Sequence, residues 1–175
     1  AVVSSHKLCR TMEDKILANE WFLSNNVPVP TFGKLPCHPQ IAKSRYGFGS
    51  RDQVIIRDWD DFKHFDSKHH PPNYILQPYI EGATEYTVDC YVTRKGEVIS
   101  ILSRVRVEVE AGEVMVSRTE YHEKINRLSR EILSHPGFEG PVCLQFLVKG
   151  DDVYCVEVNP RFGGGSTLSI HCGQN

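Results

Sequence analysis

The stretch that decides the fold lies near the end of the chain and reads Val153-Tyr154-Cys155-Val156-Glu157-Val158-Asn159-Pro160-Arg161-Phe162-Gly163-Gly164-Gly165-Ser166-Thr167. Its first six residues are rich in β-branched and aromatic side chains, which predicts a strand over 153–158. Residues 142–148 predict a partner strand, joined to the first by a glycine–aspartate turn. Residues two apart in a strand share a face, so Glu157 and Asn159 project together. The hairpin register places Gln145 opposite Glu157 or one residue away.

Gln145, Glu157 and Asn159 together offer one carboxylate and two amide oxygens. Such hard oxygen ligands suit magnesium, which keeps several waters and also binds the phosphate oxygens of a substrate. A solvated polar face is the alternative. The sequence favours this alternative less, because Glu157 directly follows the apolar pair Cys155-Val156.

Arg161 supplies a planar, permanently charged donor for a phosphoryl or carboxyl oxygen. The three glycines at 163–165, with a predicted helix start after them, could offer backbone N–H groups to an anion. A flexible connector is the alternative interpretation of the same glycines.

A glycine-containing loop at 44–50 lies between two predicted strands, at 40–43 and 54–57. Glycines let backbone N–H groups approach an anion closely, so the loop could cradle phosphates, with charge added by Lys43 and by Lys15 on the preceding helix. It is neither a G-K-[ST] loop nor a G-x-G-x-x-G loop, and an ordinary hairpin loop is the alternative.

A further stretch runs from Gln77 through Tyr79 and Ile80 to Glu85. A strand that leaves one lobe and enters another can present backbone groups to an adenine edge, and a carboxylate a few residues on can accept ribose hydroxyls. An ordinary loop between strands explains these residues equally well.

The rest of the chain predicts an antiparallel α+β domain, because hairpins alternate with flanking helices. A helix capped by Thr11 is expected over 11–26, a short helix capped by Asp58 to about residue 65, and a loop over 66–73. The remaining predicted elements are strands at 74–79, 85–93, 97–109 and 114–118 and a helix at 120–134.

Composition excludes several classes of protein. The 175 residues are 40% hydrophobic and 24% charged with a net charge of −2, which is typical of a globular chain without a generally basic nucleic-acid surface. No apolar run is long enough to span a membrane, and the start does not resemble a signal peptide. Without an initiator Met, the chain looks like a piece of something longer. Six irregularly spaced cysteines predict reduced thiols and a cytoplasmic location.

Taken in order, these stretches resemble the ATP-grasp superfamily, and most closely the ATP-grasp domains of carbamoyl-phosphate synthase large subunits and related carboxylate–amine ligases. The similarity covers nearly the whole chain, from about residue 2 to 173. Its elements are Asp14-Lys15, Val27-Pro28-Val29-Pro30, Lys43 with Gly47-Phe48-Gly49-Ser50, Gln77 to Asp89, and Gln145 through Ser166.

The resemblance implies two lobes with ATP gripped between them: a leading helical segment at 1–26, a small lobe at 27–78 and a large lobe at 79–175. It also implies roles for individual residues. For the nucleotide, it implies that Lys15 and Lys43 bind phosphates under the loop of Gly47, Gly49 and Ser50, that Gln77, Tyr79 and Ile80 surround adenine, and that Glu85 binds the ribose. For the metal, it implies that Gln145, Glu157 and Asn159 bind magnesium or manganese. It also implies that Arg161 faces the transferred phosphoryl group.

The implied function is a ligase that uses ATP to activate a small carboxylate as an acyl phosphate, which an amine then attacks. The resemblance implies a further N-terminal domain, which we expect to be absent from this chain, so an isolated ATP-binding module without turnover is the alternative. The sequence departs from the family at Ser44, Pro78 and Asp52-Gln53, and Pro78 puts the contact at the hinge in most doubt. Arg104 and Arg106 lie where relatives often carry basic residues, and the sequence assigns them no role.

Overall fold

The computed structural model describes residues 3–31, 39–47, 53–69, 73–110 and 113–173. Within these ranges the chain forms five α-helices and eight β-strands. The helices are α1 (His6–Glu13), α2 (Lys15–Ser24), α3 (Trp59–Lys68), α4 (Glu123–Leu133) and α5 (Ser166–His171). The strands are β1 (Gln40–Ser44), β2 (Gln53–Ile56), β3 (Tyr74–Pro78), β4 (Thr84–Val92), β5 (Val98–Glu110), β6 (Glu113–Thr119), β7 (Gly140–Lys149) and β8 (Asp152–Asn159).

The strands form two antiparallel sheets. The smaller has the order β2-β1-β3 and the larger has the order β6-β5-β4-β7-β8. The larger sheet follows from three hairpins and one longer return through α4, so neighbouring strands alternate in direction. The predicted α+β class is confirmed, and each predicted strand is present with ends that differ by up to two residues.

The single helix predicted over 11–26 is wrong. The chain instead forms α1 and α2, separated at Asp14, whose backbone is extended (φ −93°, ψ 109°). Ser5 caps α1, while the Asp14 carboxylate accepts hydrogen bonds from the N–H groups of Ile16 and Leu17 and so caps α2. A capping carboxylate competes with continuation of the preceding helix, so the chain breaks at Asp14. The spacing of the apolar residues does not report such a cap, so it predicts one continuous helix. Thr11, expected as a cap, lies inside α1.

The predicted cap at Asp58 is confirmed, since its side chain accepts from the N–H groups of Asp60 and Asp61. The helix α3 runs further than expected, so residues 66–68 of the predicted loop are helical. None of the helices in the described part of the chain has the length and apolarity that a bilayer span requires.

The two faces of the larger sheet differ in chemistry. One face buries apolar side chains such as Val88, Leu144 and Phe146 against α1, α2 and α4. The opposite face carries alternate residues of the same strands, which are largely polar: Glu85, Thr87, Asp89, Arg104, Arg106, Gln145 and Glu157. An antiparallel sheet with one polar face can expose that face to water or to a ligand.

The smaller sheet has a much smaller core, built from Ala42, Ile56 and Phe65. Val27 and Val29, which open the predicted small lobe, pack in the larger core instead. The division into lobes at residues 27 and 79 remains a prediction.

Candidate active site

A cleft of about 190 Å³ lies between the two sheets. Side chains from the smaller sheet, the larger sheet and α2 all line it, so no single element could form it. Nine of the residues predicted from the sequence are among its lining: Lys15, Lys43, Gly47, Gln77, Tyr79, Ile80, Glu85, Gln145 and Glu157. Gly49 and Ser50 lie outside the described residues. The tertiary structure thus gathers at one place residues that are up to 142 positions apart in sequence.

The hairpin of β7 and β8 places Gln145 directly opposite Glu157. A β-bulge decides this register: Phe146 pairs with Cys155 and Gln145 with Glu157, which leaves Val156 as an extra residue. Without the bulge, Glu157 would fall on the apolar face, because pairing by one residue less reverses the side-chain alternation.

Asn159 follows Glu157 on the same face, opposite Cys143. The set of one carboxylate and two amide oxygens fits a hard divalent cation such as magnesium. The described residues contain no group of three or more His, Cys, Asp and Glu side chains that could hold a metal, so the amides are needed to complete such a site.

Charges of both signs face the cleft. Desolvation lowers the pKa of Lys43, and the nearby ammonium of Lys15 adds to this effect, whereas Glu157 and Glu85 oppose it. Among the described residues, no side chain makes a hydrogen bond or ion pair with the Glu157 carboxylate. A half-buried lysine and a carboxylate without a close partner are both suited to a ligand that brings phosphate and a cation.

The N-terminal end of α2 anchors the root of the glycine loop. The Asp14 carboxylate accepts hydrogen bonds from Arg45 Nε at 2.8 Å and from the Tyr46 hydroxyl at 2.9 Å, and Lys15 Nζ donates to the Gly47 carbonyl at 2.8 Å. Burial alone would raise the pKa of Asp14, but these bonds and those from the α2 backbone outweigh it and lower the pKa to about 2. Sequence reasoning named Asp14 with Lys15 as part of the family resemblance, gave its carboxylate no anchoring role, and did not single out Arg45 or Tyr46.

The segment predicted to frame adenine already uses part of its hydrogen-bonding capacity. Gln77 Nε2 donates to Asn19 Oδ1 at 3.1 Å, the Tyr79 N–H donates to the Pro39 carbonyl at 3.0 Å, and the Ile80 carbonyl accepts from the Ala83 N–H at 3.3 Å. These contacts hold the segment rigidly at the edge of the cleft.

Glu85 forms an ion pair with Arg106, which also lines the cleft. Arg106 was left without a role by sequence reasoning. The alternation of Arg104 and Arg106 along a strand is the signal that places both on the polar face.

Arg161, predicted to act on the transferred phosphoryl group, does not line the cleft. Its guanidinium is exposed and donates to the Phe162 carbonyl at 2.9 Å and to Asn159 Oδ1 at 3.3 Å. It therefore lies beside the predicted metal ligands, bound to its own segment.

Three cysteines on the larger sheet are buried thiols, as expected. Burial raises the pKa of Cys143 and Cys155 to about 12 and that of Cys90 well above its usual value. The described cysteines are free, and Cys37 lies outside the described residues.

Comparison with known proteins agrees with this geometry. The sequence model of the family described as "ATP-grasp in the biosynthetic pathway with Ter operon" matches residues 70–175. The chain is 26% identical over 136 residues to the carbamoyl phosphate synthase large chain of Thermus thermophilus, covering 70% of this chain and 13% of that protein. It is 30% identical over 145 residues to the human mitochondrial carbamoyl-phosphate synthase [ammonia], covering 74% of this chain and 10% of that protein.

A solved structure shares the fold over nearly the whole chain. The biotin carboxylase of Campylobacter jejuni, in a complex described as β-γ-ATP, superposes with a TM-score of 0.81 at 17% identity, covering 97% of this chain and 45% of that one. The chain belongs to the ATP-grasp family. It spans about a tenth of the length of the carbamoyl-phosphate synthases that it matches.

Proposed function

We propose that this chain is an ATP- and magnesium-dependent ligase domain that activates a carboxylate as an acyl phosphate for attack by an amine. The observation that carries the proposal is the cleft itself, which brings two lysines into the same space as Gln145 and Glu157. The similarity to carbamoyl-phosphate synthases supports a carboxylate–amine ligase.

The lysines provide the phosphate-binding side of the proposed site. Lys43 extends from β1 and Lys15 from the start of α2, and the loop at Gly47 runs beside both. Their charges would offset those of the triphosphate. Tyr79, Ile80 and Glu85 line the same cleft. Tyr79 and Ile80 would contact the base, and Glu85 would accept the ribose hydroxyls.

The oxygens of Gln145, Glu157 and Asn159 would hold the magnesium ion. When bound there, the ion supplies charge neutralisation to the phosphate oxygens. The unpartnered Glu157 carboxylate is the strongest ligand of the three, because it alone carries a full charge.

The reaction consists of two displacements. A carboxylate oxygen attacks the γ-phosphorus, the bond from that phosphorus to ADP breaks, and an acyl phosphate forms. The amine nitrogen then attacks the acyl carbon, the bond from that carbon to the phosphate oxygen breaks, and inorganic phosphate leaves. The nitrogen gives up a proton to the departing phosphate or to water, and an amide results. Lys43 and Arg161 stabilise the charge spread over the transferring group, and no side chain acts as a nucleophile.

A nucleotide-binding module without turnover is the second candidate. It is favoured by the position of Arg161, whose guanidinium is bound to its own segment outside the cleft. In this case the chain binds ATP, but Arg161 does not reach the transferring phosphoryl group.

Calorimetry with ATP, with and without magnesium, and phosphate release with pools of amino acids and small carboxylates separate the candidates. Magnesium-dependent binding with release that requires a carboxylate and an amine supports the ligase. Binding without release in every pool supports the module. No binding of ATP contradicts both.

A further inference from the structure

The larger sheet buries an arginine on its polar face, outside the cleft. Arg104 is only 2% exposed, and its Nε donates to Asp89 Oδ2 at 2.9 Å while its Nη1 donates to Ser117 Oγ at 3.2 Å. A buried ion pair loses much of its hydration and contributes little to net stability. Net stability therefore does not explain why Arg104 and Asp89 are buried at this position.

The glycine run after Arg161 packs directly on this pair. A Cβ added to Gly165 would lie 2.7 Å from Arg104 Nη1 and 2.8 Å from Arg104 Cζ. One added to Gly163 would lie 2.9 Å from Cys143 Sγ and 3.0 Å from Asp89 Oδ1. Three of these four distances are below 3.0 Å, so something must shift to admit a Cβ at either position, and the hydrogen bonds and burial of Arg104 oppose a shift of its side chain.

Gly164 is different from its neighbours. A Cβ at this position would have no heavy atom within 4 Å. Close approach therefore explains the first and third glycines but not the second, and the run is a packed segment rather than the flexible connector that three glycines also permit.

The carboxylate of Asp89 also bonds to α5, the helix that follows the glycine run. Ser169 Oγ, on α5, donates to Asp89 Oδ2 at 2.7 Å. Asp89 Oδ2 thus accepts one hydrogen bond from β5 and one from α5. The segment between β8 and α5 passes over this carboxylate. Asn159 and Arg161 immediately precede this segment.

We propose that Arg104 and Asp89 are positioning residues: they fix the path of residues 161–169 and so hold Asn159 and Arg161 in place beside the cleft. Neither lines the cleft itself, so they act through the glycine run. The kinetic part of this inference rests on the proposed ligase function, whereas the packing part does not.

Hydrogen exchange tests the packing part without any ligand. We expect the amides of residues 161–171 to exchange at least about tenfold faster in Gly165→Ala and in Ser169→Ala than in the wild type, and at the wild-type rate in Gly164→Ala. Ser169→Ala removes a single hydrogen bond, so it remains informative if Gly165→Ala does not fold. Equal exchange in Ser169→Ala and the wild type, or equal acceleration in Gly164→Ala and Gly165→Ala, overturns the inference.

Kinetics test the positioning role. Arg104→Lys keeps the charge but loses the fork that bonds both Asp89 and Ser117. We expect its rate of phosphate release to fall at least about tenfold at saturating ATP, with the Kd for ATP within about twofold of the wild type, since misplacement of reacting groups lowers kcat. A matched loss in ATP affinity contradicts positioning. If the wild type itself does not bind ATP, the ligase proposal fails, and the exchange experiment alone decides the packing.

Discussion

The carboxylate of Glu157 is the single group on which the proposed metal site most depends. It faces the cleft opposite Gln145, and it carries the only full negative charge among the three predicted ligands. We expect Glu157→Gln to lower magnesium-dependent ATP turnover by about 10²-fold or more, because it removes an electrostatic contact of a few kcal/mol in the transition state. Phosphate release at saturating magnesium measures this.

Glu97→Gln provides the matched control, since Glu97 is exposed in the turn between β4 and β5. Its turnover should equal that of the wild type. Thermal unfolding of both variants checks that the fold is intact. Full turnover in Glu157→Gln would remove this carboxylate from the metal site.

The protonation of Lys43 predicts a pH dependence of ATP affinity. Desolvation lowers its pKa, so in the free protein this ammonium loses its proton at lower pH than an ordinary lysine. Phosphate binds the charged form, and the Kd for ATP should therefore rise with pH above the lowered pKa, by at most about tenfold per pH unit. In Lys43→Arg the guanidinium stays charged and this rise should disappear. Calorimetry at pH values from about 7 to 10 measures it, and identical slopes in the two proteins would contradict the assignment.

Among the elements, the break between α1 and α2 shows where local pattern fails. The apolar spacing over 11–26 predicts one helix, yet Asp14 interrupts it because its carboxylate has better partners than solvent: two backbone N–H groups, Arg45 and Tyr46. Two of those partners are about 30 residues away and invisible to a local pattern.

The Asp14 anchor makes a prediction on stability. Its pKa is lowered from 3.8 to about 2, so it stabilises the fold by about 2 kcal/mol above pH 4, and this contribution is lost as the pH falls toward 2. Asp14→Asn keeps a good helix cap and removes the charge, so urea unfolding at pH 7 should show a loss of about 2 kcal/mol.

The same variant should differ much less from the wild type near pH 2, because the carboxyl of Asp14 is then about half protonated in the folded protein and most of its stabilising contribution is lost. Glu13→Gln is the control, since Glu13 forms an exposed pair with Arg10 and should change stability by less than about 0.5 kcal/mol. An equal loss for Asp14→Asn at both pH values would show that geometry, not charge, is responsible.

The β7–β8 hairpin shows what the strand pattern could and could not predict. Both strands and the turn follow from β-branched residues around a glycine–aspartate pair, and Gln145 could be placed opposite Glu157 to within one residue. The bulge at Val156 decides the register, and it arises because Cys155 and Val158 both pack in the apolar core. A strict alternation could not bury both.

In the molecule as a whole, the two sheets differ greatly in the size of their cores. The larger sheet buries apolar residues from seven helices and strands and from two connecting segments, whereas the smaller sheet rests on Ala42, Ile56 and Phe65. We expect the amides of β1–β3 to exchange through a partial opening of lower free energy than those of β4 and β7. Hydrogen exchange at increasing urea concentration measures both.

Phe65→Ala sharpens this expectation. The substitution should destabilise the smaller sheet by about 3–5 kcal/mol and accelerate exchange in β1–β3, while β4 and β7 keep their protection. Uniform acceleration in both sheets would show a single cooperative unit. Protection of β1–β3 by ATP with magnesium would connect the opening to the cleft.

By itself the sequence determined the fold class of this protein, because strand-forming runs and turns are local properties of the chain. The order of Lys43, Gln145, Glu157 and Asn159 along the chain can also be read directly from the sequence. Only the tertiary structure decided which partners the charged groups have. Asp14 bonds to Arg45, and Glu85 forms an ion pair with Arg106. Arg104 donates to Asp89 under the glycine run. In each case the two residues belong to different elements of the fold. The physical reason is that a charge is stabilised by the groups that surround it in space, and sheet register and packing, not chain order, determine those groups.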